Sequence, residues 1–107
     1  MTGQKTFSPA WGKGVSITAG AAATDSLIDD NSLNGSGSSS VVITNTGTDL
    51  AYVRVSRSDD VKDATAADYL IMPQAQVSLT KFRDNDTLSV IAPSGAPVIY
   101  AIRGEGF

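Results

Sequence analysis

Residues 38–60 read "SSSVVITNTGTDLAYVRVSRSDD", and the fold class turns on this stretch. Its two apolar runs, 41–45 and 50–56, are built from β-branched and aromatic residues, the types that suit a pleated, half-buried surface. Both runs alternate at period two. That places Val41, Ile43, Val53 and Val55 on a core-facing side and Tyr52 and Arg54 on the other. Between the runs stand Thr-Gly-Thr-Asp, residues 46–49, which are turn formers. The spacing predicts a β-hairpin over 41–56, with Gly47 supplying a positive φ in its loop.

Downstream the same pattern repeats. Strands are expected at 69–73 ("YLIMP"), 76–82 ("QVSLTKF"), 87–92 ("TLSVIA") and 98–103 ("VIYAIR"), parted by Pro73, by "RDND" and by "PSGAP". In "QVSLTKF" Val77 and Leu79 share a face, as Leu88 and Val90 do in the next strand. Strands recurring about every ten residues with turn chemistry between them are the mark of a sandwich or small barrel. "DDVKDATAADY" (59–69) offers mostly alanine as apolar content and reads as a loop. The fold class is all-β, an antiparallel β-sandwich or jelly-roll-like domain over 41–107.

Upstream, "SPAWGKG", "TAGAAATDS" and "NGSGSSS" are small, polar and glycine-rich. Such stretches bury little apolar surface against the entropy of ordering them. Phe7, Trp11, Val15, Ile17, Leu27, Ile28 and Leu33 are scattered through them, and "GVSIT" alternates like a short strand. Residues 1–34 are therefore expected as an extended N-terminal arm, ordered by partners, with 35–40 as a Gly/Ser linker.

Composition bounds the function. At 107 residues the chain fits one domain. It has no cysteine, so no disulfide and no thiolate metal site, and no histidine, the commonest general base and metal ligand. The reading is of a protein that is not an enzyme and takes no cofactor. Net charge is −3 with eight Lys and Arg, too few for the basic face that nucleic acid demands. No run approaches 18 apolar residues, so no membrane span is expected. "MTGQKTFSPAW" lacks the apolar core of a signal peptide, which points to synthesis in the cytoplasm.

Four acids, Asp59, Asp60, Asp63 and Asp68, crowd one loop, as calcium ligands do. The calcium-loop order is absent, and Lys62, Arg54 and Arg57 stand among or beside them, so a solvated, ion-paired loop without metal is expected. Asp84 and Asp86 sit on one tight turn, where Asp mimics backbone hydrogen bonding, rather than flanking a cleft. "GKGVS" around Lys13 fails the spacing of a phosphate loop. Trp11 has two readings: it folds back onto its own sandwich, or it anchors in a neighbouring subunit.

With the strands placed, the chain resembles small virion proteins of tailed bacteriophages over nearly its whole length. The resemblance rests on an "F-x-P-x-W" start (Phe7, Pro9, Trp11) and a "V-N-T-G-T-x-x-A-Y-V-R" stretch (Asn45 to Thr48, Ala51 to Arg54). A proline turn and a "G-E-G" ending (Gly95, Tyr100, Gly104, Glu105, Gly106) complete it. Pro73-Gln74 stands where the family usually has Pro-Gly, and Ala96 where it has threonine. The resemblance implies a capsid decoration (cement) protein, a homotrimer on the outside of the virion, whose partner is the major capsid protein. Neck or tail proteins are the alternative within the virion, and a carbohydrate-binding module of a host-recognition structure is the alternative outside that class. Phe7, Trp11, Tyr52 and Arg54 are the residues expected to meet partners.

Overall fold

A computed structural model describes residues 7–30 and 37–106. Among these residues nine strands form two antiparallel sheets, with no helix. The strands are β1 (Ser8–Pro9), β2 (Val15–Thr18), β3 (Thr24–Leu27), β4 (Ser40–Asn45), β5 (Ala51–Ser56), β6 (Tyr69–Ile71), β7 (Gln76–Thr80), β8 (Thr87–Ile91) and β9 (Val98–Glu105). One sheet runs β1-β9-β4-β7, with β2 continuing the β1 edge along β9; the other runs β3-β8-β5-β6. Each strand from β2 to β9 thus has its chain neighbour in the opposite sheet or at its side, in the orders 2-9-4-7 and 3-8-5-6. That is the double Greek key of a jelly roll.

The face assignments of the central strands hold. Val41, Ile43, Ala51 and Val53 are fully buried, Val55 and Tyr52 are half-buried and Arg54 is exposed. The hairpin does not hold. Both edges of β4 are taken by β7 and β9, and both edges of β5 by β6 and β8, so residues 46–50 arch from one sheet to the other. Period-two alternation fixes which face a strand buries, and two strands facing one core can lie opposite as well as side by side.

The arch is held by a buried side chain. Asn45 Nδ2 donates to the carbonyls of Asp49 (2.8 Å) and Ile71 (3.4 Å), and its Oδ1 accepts from the Gly47 N–H at 2.9 Å. Gly47 is not among the residues with positive φ. Glycine is needed there for space, because a Cβ would collide with Pro97. The left-handed position lies at Gln74 (φ 62°), closing the turn in which Ala75 N–H donates to Met72 O at 3.1 Å. A non-glycine there is strained, and Gln74 makes a return: its Nε2 donates to the carbonyls of Thr46 (3.0 Å) and Gly47 (2.6 Å), tying two loops together.

The expected arm and linker need correction. β2 pairs with β9 and β3 with β8, and Ile17, Ala19 and Ile28 belong to the buried core. A jelly roll lacking β2 and β3 is incomplete, so residues 15–28 are sandwich. Small residues suffice because edge strands draw their apolar partners from β8 and β9. Of the linker, residues 37–40 are packed: Ser38 and Ser40 are buried. Residues 1–6, 31–36 and 107 lie outside the described residues, and with them Leu33 and the rest of the linker. Residues 57–68 form a loop, as expected, laid over the outer face of β5 and β8. There Ala64 N–H donates to the buried Ser89 Oγ at 2.8 Å and Lys62 N–H to Ser56 Oγ at 3.1 Å.

Candidate partner-docking surface

Trp11 occupies the tip of a pinned turn. Upstream, β1 pairs with the end of β9 (Ser8 opposite Glu105, Pro9 opposite Gly104), and Ala10 N–H donates to Arg103 O at 2.8 Å. Lys13 N–H then donates to Ala10 O at 3.1 Å, closing a turn whose third residue, Gly12, has φ 78°. That is the second central position of a type II turn, which glycine occupies without strain. Downstream, the Tyr100 side chain lies where a Cβ on Gly14 would sit, so glycine is required at that position. The result is a backbone fixed on both sides and an indole 84% exposed. The fold-back reading of Trp11 is therefore not what the chain adopts.

Of the other three expected partner residues, Phe7 shares the edge of Trp11 and Tyr52 and Arg54 do not. Phe7 is half-buried and its ring covers Gly104, on the same edge as Trp11. Tyr52 and Arg54 point outward from the second sheet, Tyr52 between Leu70 and Ile91 in register, Arg54 3.7 Å from Asp68. The four residues form two surfaces on different sheets.

The acidic loop is held by local partners on and around it. Arg57 meets Asp59 at 2.8 Å and Asp84 at 3.6 Å, Lys62 meets Asp60 at 3.1 Å, and Asp68 accepts from the Thr65 N–H at 2.7 Å. Asp63 shares a hydrogen bond with Asp25 of β3, and that bond and the neighbouring charge push the Asp63 pKa upward. Asp86 accepts from the Ser58 N–H (2.7 Å) and Oγ (2.9 Å), so the "RDND" turn braces the start of the loop. Among the described residues no group of three acids is placed to hold a metal.

One charged constellation was not anticipated. Asp29, just past β3, is buried and accepts from Lys81 Nζ (2.9 Å), the Arg103 guanidinium (3.0 Å) and the Ser38 N–H (2.7 Å). Lys81 also donates to Ser38 O at 2.7 Å, and Arg103 reaches Asp30 at 2.7 Å. A buried charge is tolerated only when paired in this way. The signal was present: Lys81 continues the inward set Val77, Leu79, and Arg103 continues Ile99, Ala101. A cation on the core face of a strand requires a buried anion. Nearby, Glu105 takes hydrogen bonds from Ser39 and a forked pair from Arg83 (2.9 and 3.0 Å). Burial works against the Glu105 carboxylate, but the Ser39 and Arg83 bonds outweigh it and hold its pKa below the usual range.

This surface displays an exposed aromatic on a pinned backbone, with Lys13 beside it in an exposed pair with Asp30 at 3.5 Å. No family model, curated protein or solved structure matches the chain.

Proposed function

We propose that the chain is a structural subunit of a tailed-bacteriophage virion, a capsid decoration protein that binds the assembled head as a homotrimer, with the major capsid protein as its partner. One observation carries the reading: Trp11 is held out on a pinned turn, 84% exposed, with none of the described residues packed over it. A large exposed aromatic on a rigid backbone loses little entropy on docking, and such residues dominate interface hot spots. The motif resemblance supplies the virion. The jelly roll agrees with it as fold-level analogy, since viral capsid domains, lectins and cupins all use that architecture.

The mechanism is mechanical. A subunit that binds only the assembled lattice stabilises it by mass action. The test is co-sedimentation of the purified chain with heads that lack it, followed by a reconstruction of the virion. Saturable binding to heads, weakened by about 2 kcal/mol or more in Trp11→Ala without loss of the isolated chain's melting temperature, is expected. Density at the neck or tail instead would move the chain to that part of the particle, and absence of the chain from the particle would end the virion reading. A carbohydrate-binding module would want its aromatics on one rigid face, whereas Trp11 and Tyr52 stand on different sheets.

A further inference from the structure

The opposite end of the sandwich carries a complement to the Trp11 turn. The arches 46–50, 72–75 and 92–97 meet there around an apolar pocket of about 320 Å³, walled by Leu50, Met72, Pro73 and Pro93. That volume falls in the range of roughly 300–1,000 Å³ typical of small-molecule sites, ample for an indole. Met72 is 53% exposed at its rim. A thioether and two proline rings are good company for an aromatic face. Asp49 stands on the same rim, lying over Gly95, and makes no ion pair among the described residues.

We infer that copies of this chain associate head to tail, the Trp11 turn of one seating in the Leu50/Met72/Pro73/Pro93 pocket of the next, with Lys13 brought to Asp49. The occupant is a second copy because the two features match in both polarity and charge. Trp11 supplies an exposed indole with a cation two residues on, Lys13, whose ammonium is held only by a solvent-exposed pair with Asp30 at 3.5 Å. The pocket supplies an apolar recess with a carboxylate that makes no ion pair among the described residues. One molecule cannot satisfy both ends itself. The Trp11 turn hangs on Arg103, while the pocket loops lie beyond Val98, where Thr46 N–H and Ala19 N–H donate to the carbonyls of Val98 and Pro97. Five residues of β9 separate these points, roughly 17 Å. A contact of this kind is heterologous, so it closes into a ring if the rotation allows and otherwise extends. The inference rests on the homo-oligomer of the proposed function and not on the virion: it assigns Trp11 to the contact between copies, so that Trp11→Ala weakens head binding through loss of the oligomer.

The test needs no capsid, so its failure is distinct from failure of head binding. Sedimentation of the full chain is compared with Trp11→Ala, Met72→Glu and an equimolar mixture of the two. Both substitutions are at exposed side chains, and circular dichroism checks each fold. The native chain should associate, each variant alone should lose about thirtyfold or more in association constant, and the mixture should restore a dimer. Restoration follows because one variant keeps the pocket and the other keeps the tryptophan. As a second arm, Lys13→Glu and Asp49→Lys should each weaken association, and the double variant should recover it. A native chain that stays monomeric, a Trp11→Ala variant that associates as the native does, or a mixture that remains monomeric would each overturn the inference.

Discussion

Segments 7–30 and 41–56 both supply strands to the two sheets, yet they are held by different means. In 41–56 the strands are central: β4 and β5 have partners on both edges, and Val41, Ile43, Ala51 and Val53 are wholly buried. In 7–30 the strands are outermost, each paired on one edge, and only Ile17, Ala19 and Ile28 enter the core. What the outer segment lacks in apolar surface it replaces with charge, since Asp29 at its end is gripped by Lys81 and Arg103 from the other sheet. A segment can therefore belong to a core while contributing little of it, provided its neighbours supply the backbone partners and a buried ion pair fixes its end.

The sharpest way to break this comparison is at the centre. Val53→Asp places an unpaired carboxylate between the sheets, and burying such a charge costs more than a domain of this size can spare. Loss of the folded signal in circular dichroism is expected. Lys81→Met comes next. It leaves Asp29 with one cation in a buried site, and breaking a buried pair from one side costs about 3–5 kcal/mol, read as a lowered urea midpoint. Ile28→Ala should cost about 2–4 kcal/mol by the same measurement. An arm outside the core would lose almost nothing.

The comparison also bears on what could be read from the residues. The inward faces of β4 and β5 were legible because alternation is a local property of a strand with large side chains. Their partners were not, because nothing local in Asn45 to Leu50 distinguishes an arch between sheets from a hairpin within one. β2 is legible as a short strand in "GVSIT", but it and β3 read as an arm because "TAGAAATDS" looks like linker when their partners on β9 and β8 are out of view. Trp11 was legible as a candidate from its lone position among glycines. Lys81 and Arg103 are legible as cations on inward faces, but their anion Asp29 is not, since the register that brings the three together runs through strands distant in the chain.

The smallest expected effect concerns Glu105, which anchors Ser39 and Arg83 between the two segments. Because folding lowers its pKa, its contribution is fully present above the ordinary glutamate value of 4.5 and is lost as the pH falls through the lower folded value. Glu105→Gln should therefore lower the melting temperature at neutral pH and leave it close to the native value in acid, which a pH series of melting curves reads directly.

The central claim is that residues 15–28 are part of the sandwich in the isolated chain, and amide hydrogen exchange tests it most directly. Ala19 and Ile28 donate to Pro97 O and Asp86 O at 2.9 and 2.8 Å, so their amides should exchange only when the sandwich opens, alongside Val41 and Val53. Exchange of Ala19 and Ile28 at the rate of free chain, while residues 41–56 stay protected, would contradict the account and return the segment to an arm awaiting its partner.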